Sequence, residues 1–105
     1  MTTQEFYQGL VSLGYPVAYS HFAEGNVPDP PYITYYYPGT NNFSADGIVY
    51  QEINEIDIEL YSVEKDLDAE KKIADWLTEN GLFYEKLEYY IESEKMIQVI
   101  FEVEV

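Results

Sequence analysis

The sequence predicts one α+β domain over residues 1–105, in which two helices cover one face of a mostly antiparallel sheet in the order α-β-β-β-α-β-β. Two segments repeat apolar residues at helical spacing, five others are β-branched, aromatic or alternating, and turn residues separate them. With 47% hydrophobic residues, the 105-residue chain can bury a core of its own at a length usual for one domain.

The first helix is predicted over residues 3–13. Thr2 and Glu5 have the spacing of a capping box, in which each satisfies a backbone N–H of the first turn. The apolar residues that follow share one helix face: Phe6, Leu10 and Leu13. Gly14 is well placed to end the helix, because glycine readily adopts the left-handed conformation found there.

Three strands are predicted next. Residues 17–22 form a short strand, and residues 32–37, which are β-branched and aromatic, form a second one. Residues 38–47 are a loop by composition. Residues 48–62 form one long strand, with a bulge or bend near Asn54 where the apolar alternation changes phase.

A second helix is predicted over residues 67–80, beginning at the N-cap Asp66 and ending before Gly81. Its buried stripe consists of Ala69, Ile73, Trp76 and Leu77. Residues 84–92 and 96–105 then form a hairpin. The core side chains assigned to its two strands are Leu87, Tyr89 and Ile91, and then Ile97, Val99, Phe101, Val103 and Val105.

The charge of the chain excludes several kinds of partner. Twenty acidic residues face five Lys, no Arg and one His, for a net charge of −15. Because cations are needed to displace the counterions of nucleic acid, binding of DNA, RNA or an anionic membrane by the lone chain is not expected. The N-terminus does not resemble a signal peptide, and no apolar run reaches the ~20 residues of a membrane span. We therefore expect a cytoplasmic protein.

Seven carboxylates are predicted on the sheet face opposite the helices: Glu55, Asp57, Glu59, Glu88, Glu92, Glu102 and Glu104. Like charges on neighbouring strands cost stability. One interpretation is a solvated face that keeps the protein soluble. Others are a channel wall along which nucleic acid slides without sticking, or an imitation of the phosphates of DNA.

Motifs for catalysis are scarce. Ser20 and His21 are adjacent on a predicted strand, so their side chains are expected on opposite faces. There is no Cys and no glycine-rich phosphate loop, so no cofactor and no metal site is expected, and no pair of carboxylates is singled out for hydrolysis. The tyrosine cluster is interpreted as half core and half protein interface: Tyr32, Tyr35, Tyr36 and Tyr37.

A succession of short segments resembles small proteins encoded in the tail and head–tail gene modules of phages and prophages of Gram-positive bacteria. The segments are PYITYY (31–36), NFSAD (42–46), IELY (58–61), KD (65–66), YEK (84–86) and YIESEKM (90–96). The element order is also similar to that of the tail terminator, or tail completion, proteins of long-tailed phages.

The resemblance implies a structural protein with no catalytic motif. It implies a homo-oligomeric ring, a hexamer in that family, which caps the tail tube, docks the head and lets DNA pass. The partners would then be tail-tube and head-connector proteins, and the location the virion, after assembly in the host cytoplasm. In the family, the loop between the second and third strands contacts the tube; the matching residues here are Thr40, Asn41, Asn42, Phe43 and Asp46.

Two alternatives come from other functional classes. An acidic inhibitor that mimics DNA, such as a phage anti-restriction protein, would bind a basic DNA-binding protein tightly and in a salt-dependent way. A small hydrolase using carboxylates would need a concave pocket that contains a carboxylate of raised pKa.

Overall fold

The helices begin and end close to their predicted bounds. The computed structural model describes residues 1–45 and 47–105, with side chains described for residues 1–42, 47 and 52–105. Helix α1 spans Thr3–Val11 and begins with the predicted capping box between Thr2 and Glu5. Helix α2 spans Leu67–Glu79, and the Asp66 carboxylate accepts a hydrogen bond from the backbone N–H of Ala69 at 3.0 Å.

Seven strands are present in the described chain, two more than predicted. Their bounds are Val17–Tyr19 (β1), Tyr32–Thr40 (β2), Phe43–Ala45 (β3), Ile48–Gln51 (β4), Asn54–Ser62 (β5), Tyr84–Ile91 (β6) and Met96–Glu104 (β7). Five of them form one sheet in the order β1-β2-β5-β7-β6, while β3 and β4 pair only with each other. Without that small hairpin, the element order is the predicted α-β-β-β-α-β-β, and the α+β class is confirmed.

The sheet is antiparallel except at one edge. Strand β1 runs parallel to β2, whereas β2, β5, β7 and β6 pair antiparallel in turn. The connection from β1 to β2 is long enough to return the chain to the same end of the sheet, as a parallel pairing requires. The sheet is therefore mixed, although mostly antiparallel as predicted.

The segment from residue 38 to residue 53 differs from its prediction. Strand β2 continues to Thr40 through a register shift after Tyr36, and β3 lies within the predicted loop. The predicted long strand over residues 48–62 is interrupted at Glu52 and Ile53, so that β4 pairs with β3 and not with the main sheet. A hairpin therefore leaves the sheet between β2 and β5.

The core lies between the helices and one sheet face. Phe6 and Leu10 of α1 and the buried side of α2 pack on the central strands β5, β7 and β2. The fully buried residues of this core include Ile33, Ile58 and Phe101. The Trp76 indole packs edge-on against Phe6, with ring centroids 5.1 Å apart. The longer of the two described helices has 13 residues, and neither has the length and apolar character needed to cross a membrane.

Candidate functional site

One face of the sheet is left uncovered by the helices. In antiparallel pairs, directly opposed residues point to the same side of the sheet. Because Ile58 is opposite Phe101 and both are buried under the helices, the alternate residues of each strand point away from the helices. We call this second side the open face.

Five carboxylates meet at one end of the open face. Glu55 is opposite Glu104, and Glu102 is flanked by Asp57 on β5 and Glu85 on β6. Opposed side chains have Cβ atoms about 5 Å apart, a distance at which like charges destabilise the sheet. We call these five residues the acidic patch.

The structure brings together most of the carboxylates predicted for this face. The five that lie there are Glu55, Asp57, Glu59, Glu102 and Glu104. The prediction was wrong for Glu88, which is opposite Val99 and therefore points to the helix side. It was also wrong for Glu92, which lies in the turn between β6 and β7. Glu85, which the sequence prediction missed, takes the position next to Glu102.

The error at Glu88 follows from the faces assigned to β6. Leu87, Tyr89 and Ile91 were predicted to be core residues but lie on the open face, opposite Ile100, Gln98 and Met96. Lys86 and Glu88 instead face α2, where Glu70 is 3% exposed and needs a cation. The signal was in the sequence: Glu70 is three residues before Ile73, on the stripe that α2 buries.

The acidic patch has no cationic partner among the described residues. The ion pairs of the described chain join Lys65 and Lys86 to Glu70, Lys65 to Glu88, and Lys71 to Asp75, all away from the patch. Its contacts are neutral instead. The Asn41 side chain donates a hydrogen bond to Glu104 at 3.0 Å, and a hydrogen bond to Asp57 raises the pKa of the Tyr36 hydroxyl.

Glu59 is the centre of a polar network in the middle of the open face. Its carboxylate accepts hydrogen bonds from the Thr34 hydroxyl at 3.1 Å, the Tyr61 hydroxyl at 3.3 Å and the Gln98 amide at 2.6 Å. Burial raises the pKa of Glu59, while these donors oppose the rise and the charge of Asp57 adds to it. The Gln98 amide also donates to the Tyr61 hydroxyl at 3.0 Å, and the network ties β2, β5 and β7 together.

We expect Glu59 to make the protein less stable as the pH rises. Because the pKa is raised in the folded state, the folded protein binds this proton more tightly than the unfolded chain. The resulting stabilisation is complete below the unfolded value of 4.5 and is lost as the pH rises through the raised pKa. Urea unfolding from pH 4 upward should show a smaller fall in the Glu59→Gln variant than in the wild type. The exposed Glu24→Gln variant, with the same change in net charge, should keep the wild-type fall.

The other end of the open face is apolar and aromatic. Leu87 and Tyr89 are 43% and 52% exposed. On β2 and β5, Tyr32 stacks on Tyr61 with centroids 5.1 Å apart. The tyrosine cluster is divided between the two sides of the sheet: Tyr32, which is 8% exposed, lies on the open face, whereas Tyr35 packs against Phe6 in the core. The predicted role of the cluster in a protein interface stays a prediction.

The predicted tube-contact residues fall at the hairpin between β2 and β5. Thr40 ends β2 opposite Asn54, and the Asn42 side chain accepts a hydrogen bond from the backbone N–H of Ile53 at 3.2 Å. Asn41 joins the base of the hairpin to the acidic patch through Glu104. Phe43 is in β3, with its side chain outside the described ones, and Asp46 lies outside the described residues.

The Ser–His pair and the carboxylates weighed for catalysis lie in different parts of the structure. Ser20 and His21 lie beyond the end of β1, and their side chains are 3.1 Å apart, contrary to the predicted opposite faces. Both are exposed, and no carboxylate of the described chain hydrogen-bonds to the His21 ring. The five carboxylates of the acidic patch, together with Gly81, Leu82, Phe83 and Val103, line a groove of about 570 Å³. Glu59, whose pKa burial raises, is not among the residues that line this groove.

Metal binding and sequence similarity give no further indication of chemistry. In the part of the chain that the structure describes, no three His, Asp or Glu side chains are grouped so that they could hold a metal ion. No model of a known protein family matches the chain, and no curated protein is significantly similar to it in sequence.

Proposed function

We propose that this chain is a structural protein of a phage virion, a tail terminator or head–tail joining protein that caps the tail tube as a homo-oligomeric ring. One observation carries the proposal. The hairpin that leaves the sheet between Asn41 and Ile53 and the acidic patch occupy the same end of the molecule, joined by the bond from Asn41 to Glu104. A ring can therefore present the hairpins to the tube and the carboxylates to its channel.

The charge of the patch suits a channel for DNA. Five carboxylates without a cationic partner among the described residues repel phosphates, so that DNA finds no cation to hold it as it passes. Like charges opposite each other across three strands lower the stability of the sheet by up to about 1 kcal/mol for each pair. In this proposal, the arrangement is kept because it lets DNA pass without binding.

The patch also supports a second candidate function. The same carboxylates on an open face could occupy the DNA site of a basic protein. This inhibitor would bind its target in a salt-dependent way and would make no stable contact with a tail tube. The two candidates therefore differ in a single binding measurement.

The test uses the chain together with the tail-tube protein from the same genome. We expect electron microscopy to show a ring at one end of each tube and tubes that stop growing. The Asn41→Ala/Asn42→Ala variant removes both side-chain bonds at the base of the hairpin and should weaken tube binding at least about tenfold, which is ~1.4 kcal/mol.

The control is Asn26→Ala, an equivalent change in an exposed loop, which should cap tubes as the wild type does. Uncapped tubes in the presence of a folded, monomeric wild-type chain would refute the proposal. Binding to a basic DNA-binding protein, with no effect on tubes, would favour the inhibitor.

A further inference from the structure

Strand β6 ends the sheet with a long unpaired edge. It has eight residues, whereas the strand at the other edge, β1, has three. Within the described chain, β6 pairs only with β7, so the backbone N–H and C=O groups of its outer side have no strand partner. An edge of this length is a template for pairing with another strand.

The side chains of β6 are also unusually exposed for an edge rich in apolar residues. None of its residues is buried, and Leu87, Tyr89 and Tyr90 are 43%, 52% and 59% exposed. Charges often protect sheet edges from unwanted pairing. Here three charged residues lie among the apolar ones: Glu85, Lys86 and Glu88. A partner strand must therefore offer opposite charges as well as apolar side chains.

A second copy of the same strand meets this requirement in the register centred on Leu87. A two-fold axis perpendicular to the sheet pairs two β6 strands antiparallel and keeps each face of the sheet on its own side. Because directly opposed residues point to the same side, the axis must pass at the level of a residue, which is then opposite its own copy. With the axis at Leu87, Lys86 is opposite Glu88 of the partner subunit. If the axis were shifted by one residue in either direction, Lys86 or Glu88 would be opposite its own copy, and like charges would be in contact.

The Leu87 register also matches the remaining side chains. On the open face, Leu87 meets its own copy and Glu85 is opposite Tyr89 of the partner subunit. On the helix side, Tyr84 is opposite Tyr90 of the partner subunit. Lys86 and Glu88 each already bind a residue near α2, so the new Lys–Glu contacts would join two existing networks.

We infer that the free chain forms a two-fold symmetric dimer by antiparallel pairing of β6 with β6 of a second copy, centred on Leu87. The pairing joins two five-stranded sheets into one continuous sheet, with both helix layers on the same side. Such an interface closes after two copies and cannot by itself form a ring. The inference therefore concerns the free chain, is independent of the proposed function, and goes beyond it.

The test places charges at the centre of the dimer. Leu87→Glu and Leu87→Lys put like charges opposite each other and should each raise the dimer dissociation constant at least about tenfold. An equimolar mixture of the two variant chains should recover a heterodimer, because opposite charges then meet. Sedimentation equilibrium from micromolar to millimolar concentration gives the masses, with twice the 12.2 kDa chain mass expected for the wild type.

Val27→Glu is the matched control, since Val27 is 57% exposed in the loop between β1 and β2, whereas β6 is the opposite edge of the sheet. It should leave the dimer intact, and circular dichroism verifies that every variant folds. A wild-type chain that stays monomeric at the highest concentration would overturn the inference. So would a dimer that neither Leu87 variant weakens, or a mixture that fails to recover. A six-fold mass insensitive to Leu87 would also overturn it while supporting the ring.

Discussion

Replacing both Lys65 and Lys86 with Met is expected to lower the free energy of unfolding by about 3–5 kcal/mol. The Glu70 side chain is 4% exposed, and these two lysines are the cations that reach it in the described chain, with Nζ atoms 2.7 Å from Oε2 and 3.3 Å from Oε1. The double variant leaves a buried carboxylate with no opposite charge. Because small domains have a total stability of about 5–15 kcal/mol, a loss of this size would unfold a large part of the population.

Neutralising Glu70 itself is the critical control. Adding Glu70→Gln to the double variant should recover most of the loss, because a neutral amide removes the uncompensated charge. Lys71→Met removes the pair with Asp75, whose side chains are 73% and 54% exposed, and should change the stability by less than about 0.5 kcal/mol. Equal losses for Lys71→Met and for the double variant, measured by urea unfolding, would contradict this account of Glu70.

The helices could be predicted from the sequence because their signals are local. The capping box at Thr2 and Glu5 and the N-cap Asp66 are each set by residues within one helical turn. The buried stripe of α2 is also a local pattern, and Ile73 and Leu77 are fully buried as predicted. None of these assignments depends on which strand lies beside which.

The faces of β6 could not be assigned in the same way. Both faces of β6 carry apolar residues, so either face could be assigned to the core. Assigning the wrong one places every side chain of the strand on the wrong side of the sheet. The structure places Lys86 and Glu88 under α2 because Glu70 and Lys65 lie there. That contact joins positions at least sixteen residues apart, so a pattern within one strand does not contain it.

The hairpin between β2 and β5 shows a second limit of local patterns. A composition rich in Gly, Asn and Ser predicts a loop over residues 38–47, yet β3 forms within it and pairs with β4. The two strands hydrogen-bond to each other, and Asn42 and Ile53 hold their base, so pairing between segments overrides the preference of each segment alone. Three of the predicted tube-contact residues, Thr40, Asn41 and Asn42, lie at the base of this hairpin, where the proposed function would need them.

The acidic patch was found in part because alternation is a strong signal on central strands. Glu55 and Asp57 lie on β5, whose other face is buried, and its register with β7 brings Glu104 and Glu102 opposite them. Glu85 was not predicted to lie in the patch, because the two faces of β6 were assigned the wrong way round. The cluster is therefore denser than the sequence suggests, with three carboxylates side by side across neighbouring strands. This density makes the proposed channel, and the alternative inhibitor, testable by charge neutralisation.

Replacing Gly9 with Ala is expected to destabilise the protein by about 1–3 kcal/mol, against the usual rule for helices. In an ordinary helix interior, Ala is better than Gly by ~1 kcal/mol. Here an added Cβ would clash with Cζ2 of Trp76 and lie 2.6 Å from Cε2 and 2.8 Å from Nε1. The indole has little freedom to retreat, because it packs edge-on against Phe6.

A smaller ring at position 76 should remove this cost. In a Trp76→Phe background, Gly9→Ala should be neutral or stabilising, and the difference between the two backgrounds gives the coupling energy of the pair. Gln8→Ala, at the exposed neighbouring position, controls for helix propensity. Trp76 is the single Trp of the chain, so its fluorescence reports directly on the displaced ring. A stabilising effect of Gly9→Ala in the wild-type chain would contradict the close packing of α1 on α2, because that packing leaves no room for a Cβ between Gly9 and the indole.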